Sequence, residues 1–265
     1  MPKNNFEQEV TLAIISENPQ YIIRSIVSKK EIVEYPLLFR KRVMIHDIYF
    51  DTPDGILRKN KLIFRVRKED QHYKITFKGP VYKREEGFAE RPEAEGVWSQ
   101  EELSYIINEL RKHNVQIPES ISSFDHTEPV EYMKKLGLNV IQYRENQRYI
   151  LDIVSSQDKS TVLAEIVLDT VIYHLDNYRV KHHEIEIESK NHEENEGYQL
   201  IKILMEHILL TYHGHIQKWN YGKLTTGQAL EKLLNEGKPD DILKEDKSIK
   251  PEAYKFLEHY LNIYK

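Results

Sequence analysis

Three glutamates stand at every second position in His182-His183-Glu184-Ile185-Glu186-Ile187-Glu188-Ser189. In a β-strand, residues two apart share a face, about 6.6 Å from one another. Glu184, Glu186 and Glu188 then form one acidic row, with Ile185 and Ile187 on the opposite face. A helix would scatter the glutamates around its axis, and isoleucine alternation favours strand. A row of carboxylates at this spacing suits hard divalent cations, which take oxygen ligands. An ordinary solvated strand over a buried isoleucine face has the same pattern, so the other strands must separate the two readings.

Paired charges recur along the chain at the same period. Arg65 and Arg67 share a face, as do Lys74, Thr76 and Lys78, then Arg91, Glu93 and Glu95, and then Arg144 and Arg148. Glu7 and Glu9 stand near the start, with Thr11 next in the row, and Glu165 and Asp169 share one side of a later segment. Arginine grips phosphate oxygens by a bidentate fork and lysine as a point charge. An open sheet would expose these rows to water. A sheet closed into an eight-stranded barrel would have room for one small ligand. Buried charges need compensation, so an interior carrying rows of both signs implies a metal-bound polyphosphate.

The elements that must carry these rows follow from periodicity and caps. A strand is expected over 6–14 and a helix opened by Asn18 and Pro19. Strands follow over 43–53, 61–70, 72–80 and 87–97, the middle two forming a hairpin around Glu69-Asp70-Gln71. Ser99-x-x-Glu102 is a capping box for a helix over 98–113, and a short helix is expected over 129–138. Strands over 139–154, 162–175 and 182–189 precede an amphipathic helix, about 194–212, that ends at Gly214. Strands without βαβ repeats predict an antiparallel α+β architecture. The character changes after Leu224, which divides the chain into a main domain, 1–224, and a helical C-terminal appendix, 225–265. The appendix is expected to pack on the main domain, with a homodimer interface as the alternative.

Composition removes several classes. A formal net charge of −5 gives no global basic signature for nucleic acid. The absence of cysteine excludes disulfides and thiolate sites. The N-terminal residues lack the apolar region of a signal peptide. The longest apolar stretch, 200–210, is too short for a membrane span and contains Glu206 and His207. A cytoplasmic protein without nucleic-acid or membrane partners is the default expectation. His182, His183, His213 and His215 are expected at the surface, since no third metal ligand is placed by spacing. The 17 tyrosines are expected to pack with their hydroxyls at the surface.

Seven segments in order resemble the CYTH superfamily, the triphosphate tunnel metalloenzymes. Glu7-Gln8-Glu9-Val10-Thr11 stands in the place of the family's Glu-x-Glu-x-Lys. Residues 47–80 are similar to its block of Tyr-Phe-Asp-Thr-Pro, Arg-x-Arg and Thr-x-Lys. Glu90-Arg91-Pro92-Glu93 resembles the Arg-Pro-Glu strand of bacterial inorganic triphosphatases. Residues 143–151, Glu165–Asp169, the triple-glutamate strand and 216–224 follow in family order. The resemblance implies a tunnel of eight antiparallel strands with surrounding helices. It implies that Glu7, Glu9, Asp169, Glu186 and Glu188 hold Mg²⁺ or Mn²⁺, with Glu184 pointing inward. It implies that Arg65, Arg67, Lys78, Arg91, Arg144 and Lys218 grip the triphosphate and that Glu93 orients one of them. Lys74 and Arg148 lie on the same faces but match less well. The implied activity is metal-dependent hydrolysis of inorganic tripolyphosphate, with Glu7, Glu9 and Lys218 closest to the chemistry. Alternatives in the same tunnel are thiamine triphosphate hydrolysis, cyclisation of ATP to cyclic AMP, and polyphosphate or nucleotide binding without turnover. Thr11 is the one departure, because a hydroxyl cannot supply the cation of the family lysine.

Overall fold

A computed structural model describes residues 5–81, 88–117, 124–125, 127–190, 194–237 and 239–263. The elements run β1 (Asn5–Ile14), α1 (Pro19–Val27), β2 (Glu31–Ile32), β3 (Tyr35–Asp51), α2 (Ile56–Lys59), β4 (Ile63–Glu69), β5 (His72–Lys78), β6 (Phe88–Val97) and α3 (Gln100–Lys112). They continue with α4 (Pro129–Lys135), β7 (Asn139–Val154), β8 (Val162–Leu175), β9 (Tyr178–Ser189), α5 (Glu194–Thr211), β10 (Ile216–Lys218), α6 (Lys223–Glu236), α7 (Pro239–Ile242) and α8 (Ala253–Ile263). The architecture is α+β on one antiparallel sheet. Its strand order is β10-β1-β6-β5-β4-β3-β7-β8-β9, and β9 pairs again with β1. The described strands number ten against the eight expected, and the two additional ones are short: β2 pairs β3, and β10 pairs β1.

Local chemistry sets the ends of these elements. The Asn18 carboxamide accepts from the Tyr21 amide at 3.1 Å, and Pro19 opens α1, as expected. The Ser99 hydroxyl accepts from the Glu102 amide at 3.2 Å and starts α3. Asp70, at φ +54°, turns β4 into β5, a conformation that aspartate tolerates. Asp51 of the Tyr-Phe-Asp-Thr-Pro element is a cap: its carboxylate accepts from the amides of Thr52 (2.8 Å), Leu57 (2.9 Å) and Arg58 (3.2 Å) and anchors α2. The strand expected over 43–53 begins earlier, at Tyr35.

The chain divides into two compact units. One comprises Met1–Glu7, Met44–Lys83 and Glu90–Glu145. Its apolar layer joins Phe64, Val66, Ile75, Phe77 and Ala94 of the strands to Leu103, Ile106 and Leu110 of α3 and Met133 of α4. Burying such a side chain is worth about 1.5–3 kcal/mol, and period two then commits Arg65, Arg67, Thr76, Lys78 and Glu93 to the other face. The second unit comprises Gln8–Val43, Arg84–Ala89 and Asn146–Lys265. In it Val10, Leu12, Ile166, Leu168, Ile185 and Ile187 pack against Ile22 and Ile26 of α1 and Leu204 and Ile208 of α5. A further core of this unit joins Val171, Tyr173 and Val180 to Trp219 and to Leu230, Leu233 and Leu257 of the C-terminal helices. Residues beyond Leu224 therefore complete a core on β8 and β9.

Candidate functional site

The first unit gathers cations around one buried carboxylate. Register pairs Asp47 with Arg67, Tyr49 with Arg65, and Arg65 with Thr76, so all five lie on one face. Asp47 is fully buried. Arg67 donates to it from Nε at 2.7 Å and from Nη2 at 3.0 Å, Arg144 donates from Nη2 at 3.1 Å, and Arg65 Nη1 lies 3.6 Å away. Arg144 also donates to the Tyr49 hydroxyl and stacks its guanidinium over that ring at 4.5 Å. Burial would raise the Asp47 carboxyl, but the charges of Arg67, Arg65 and Arg144 outweigh it and hold it well below the carboxylate range. Next along this face, Lys78 is buried and pairs with Glu93 at 3.0 Å. Glu95 accepts from the Thr76 hydroxyl at 2.9 Å and pairs with Lys74 at 3.3 Å and Arg65 at 3.5 Å. Burial acts to raise the Glu95 carboxyl, and Arg65, Arg67 and Lys74, with the Thr76 hydroxyl, bring it down to about 2. Arg91 is half-buried on β6.

The second unit gathers carboxylates around two cations. Register sets Asp169 opposite Glu184, and Thr11 opposite Glu186. Oxygens of Asp169, Glu184 and Glu186 all lie within 4.8 Å of one another. Arg148 donates to Asp169 from Nε at 2.9 Å and from Nη2 at 2.6 Å, and to Glu186 at 3.0 Å. Lys223, the first residue of α6, places its ammonium against Glu184, against Glu186, and 3.2 Å from Asp169. Burial would lower the Lys223 ammonium, but Glu184, Glu186 and Asp169 raise it overall. Glu184 also accepts from His182 Nε2 at 3.2 Å, and Tyr254 lies 3.0 Å from His182 Nδ1. His182 and His183 are buried, against the expectation of surface histidines, while His213 and His215 are exposed. Burial pushes the His183 imidazole down to about 3, aided by the neighbouring His182, so it is neutral beside the Thr170 hydroxyl.

The expected residues are distributed as follows. Arg65, Arg67 and Arg144 meet on Asp47, with Lys78 and Glu93 paired beyond them. Asp169 and Glu186 meet with Glu184. Glu188 stands in register with Glu9 and Glu165, one step beyond that cluster, and pairs with Lys190 at 2.7 Å. The side chain of Glu7 lies outside the described residues. Lys218 is exposed on β10, and the lysine that reaches the carboxylates from the same segment is Lys223. Asp47, Tyr49, Lys223 and Tyr254 are not among the site residues expected from the sequence, which sets His182 at the surface. Asn146 adds a further feature: it is fully buried on the same face of β7 as Arg144 and Arg148, and neither its amide nitrogen nor its oxygen has a hydrogen-bond partner among the described residues.

Residues 18–215 match the family model of the CYTH domain. The chain belongs to the CYTH domain family. Among solved structures, a putative adenylyl cyclase from Hippeastrum, described as having a dominant triphosphatase activity, superposes with a TM-score of 0.56 at 17% identity, covering 87% of this chain and 99% of that one. A protein from Pyrococcus horikoshii OT3 gives a TM-score of 0.47 at 18% identity, covering 86% and 99%. The Hippeastrum superposition supports the CYTH fold. No protein in the curated comparison matches the chain. Among the described residues, no helix is long and apolar enough to cross a membrane. CYTH tunnel proteins are metal-dependent, and the donor set here fits a hard divalent ion: three carboxylates with neither thiolate nor imidazole among them. Arg148 and Lys223 leave that set one net negative charge.

Proposed function

We propose that this CYTH protein hydrolyses a triphosphate in a divalent-metal-dependent reaction, with inorganic tripolyphosphate as the first substrate to test. The reading is carried by the convergence of Arg65, Arg67 and Arg144 on the single carboxylate of Asp47. Three guanidinium groups face two carboxylates, Asp47 and Glu95, so cations outnumber anions around these arginines. Such an excess is costly unless an anion uses it, and planar forks match phosphate oxygens. Asp47 holds the three groups in fixed orientations before any anion arrives, so little side-chain ordering remains to be paid on binding. Lys78 adds a point charge, and Glu93 keeps its ammonium in place.

Asp169, Glu184 and Glu186 are the residues that would hold Mg²⁺ or Mn²⁺, with Glu9 and Glu188 extending the same acidic face. A bound ion would offset charge on the phosphates and lower the pKa of a coordinated water. Arg148 fixes both oxygens of Asp169 through two parallel donors. Lys223 brings a positive charge to the carboxylates beside Thr11, where the family motif carries its own lysine. Purified protein is incubated with tripolyphosphate, thiamine triphosphate and ATP, each with Mg²⁺ or Mn²⁺. Phosphate, pyrophosphate and cyclic AMP are then quantified. Phosphate release from tripolyphosphate that is lost in Glu186→Ala is expected; absence of turnover with every substrate and both metals refutes the reading.

A further inference from the structure

We infer that the C-terminal helices are a working part of the acidic cluster, with Tyr254 and His182 acting as positioning residues for Glu184. Tyr254 lies beyond both the residues that match the CYTH model, 18–215, and the segment 216–224 that carries the family resemblance. This positioning role rests on the reading of Asp169, Glu184 and Glu186 as the metal-holding set.

The geometry is a buried line. The Tyr254 hydroxyl is 3.0 Å from His182 Nδ1, and His182 Nε2 is 3.2 Å from Glu184 Oε2. Tyr254, His182 and Glu184 are exposed by 3%, 0% and 0%, so water does not compete for these bonds. A carboxylate only accepts, so Nε2–H donates to Glu184, and in the neutral imidazole this leaves Nδ1 to accept from the tyrosine hydroxyl. Trp219 presses on both rings, with centroids 5.6 Å from His182 and 5.7 Å from Tyr254, and its indole N–H donates to Thr226 at 3.1 Å. Oε2 of Glu184 is thereby fixed from α8, while Oε1 faces the Lys223 ammonium at the start of α6. Tyr254 and His182 orient a ligand; Lys223 competes for its charge. The two contributions have opposite signs for a metal ion, which general destabilisation of the fold cannot reproduce.

The test titrates Mn²⁺ alone into the full-length protein, reading free Mn²⁺ by electron paramagnetic resonance well below the unfolding temperature. Loss of a partner behind a ligand typically costs at least about 10-fold in metal affinity, and Tyr254→Phe is expected to show a loss of that order. His182→Gln, whose amide can still accept from the tyrosine and donate to Glu184, should lose less than His182→Leu. Lys223→Met should bind Mn²⁺ more tightly than the wild type. Tyr260→Phe removes the hydroxyl that donates to Glu236 from the same helix and should leave the affinity unchanged. Wild-type affinity in both Tyr254→Phe and His182→Leu overturns the positioning role alone. Failure of the wild type to bind Mn²⁺ overturns the metal reading and this inference with it.

Discussion

Replacing Asp47 with asparagine keeps the shape of the side chain and removes the carboxylate that Arg65, Arg67 and Arg144 share. The side chains of these arginines are exposed by only 8%, 10% and 1%, so water cannot take over the role of the carboxylate. The new amide nitrogen is a donor and meets guanidinium donors wherever it points. Removing one partner of a buried ion pair typically costs about 3–5 kcal/mol. Each kcal/mol moves Tm by about 2–4 °C in a chain near this size, so Asp47→Asn should lower Tm by about 6–20 °C at neutral pH. Thermal unfolding followed by far-UV circular dichroism measures this. Two further outcomes identify the cause. Tripolyphosphate should raise Tm more in Asp47→Asn than in the wild type, because the anion restores the missing charge. The difference between the proteins should also close in acid. The Asp47 carboxyl is held low in the folded protein, so its contribution is present above the ordinary carboxylate value and is lost as pH falls through the folded one. A Tm within 2 °C of wild type (about 1 kcal/mol or less), or no additional anion rescue, would refute Asp47 as the holder of the three arginines.

Asn146→Leu replaces a fully buried amide lacking hydrogen-bond partners among the described residues by an apolar side chain of the same branching, and should stabilise the protein by about 1–3 kcal/mol in urea unfolding while weakening tripolyphosphate binding measured by calorimetry. Lys223→Ala leaves buried carboxylates uncompensated and should destabilise by about 3–5 kcal/mol, a loss that Mn²⁺ partly restores in a Tm scan; tripolyphosphate turnover should fall further than in Lys218→Ala, whose side chain is exposed on β10. Thr11→Lys sets a second ammonium beside Glu186, which already pairs with Lys223, so Mn²⁺ affinity should fall in the single variant and return towards wild type when Lys223→Met is added. Glu95→Gln should be less stable than the wild type above pH 4.5, with the difference closing as pH falls towards about 2, the folded carboxyl value, in acid-unfolding curves.

Period-two alternation carried most of the sheet. Ile185 and Ile187 enter the apolar layer and Glu184 and Glu186 the other face, and the same rule places Arg65 and Arg67 opposite Phe64 and Val66. What alternation cannot give is register between strands. Asp47 in Val-Met-Ile-His-Asp-Ile-Tyr-Phe reads as a lone acid in an apolar run, and it becomes the hub of the basic cluster because pairing sets it against Arg67. Its spacing of two from Tyr49 was the signal available. Lys223 was hidden differently. It opens a helix, so strand period says nothing of it, and Lys218 five residues earlier carried the resemblance. His182 shares the strand period of Glu184, but its burial depends on α8, whose docking no local pattern encodes.

The arrangement also explains how a protein can carry such rows without a ligand to neutralise them. In the basic cluster Asp47 and Glu95 face three guanidinium groups, and in the acidic cluster Arg148 and Lys223 face three carboxylates. Each group is compensated far enough to stay folded and left with a residual charge, positive in one and negative in the other. β7 supplies one arginine to each, Arg144 to the first and Arg148 to the second, on the same face of one strand. Full compensation would remove the attraction for phosphate and for metal, and none would unfold the sheet. The counter-charges Asp47 and Lys223 are therefore the residues at which stability and ligand affinity are traded against each other. Substituting them should move the two quantities in opposite directions more sharply than substituting the charges they oppose.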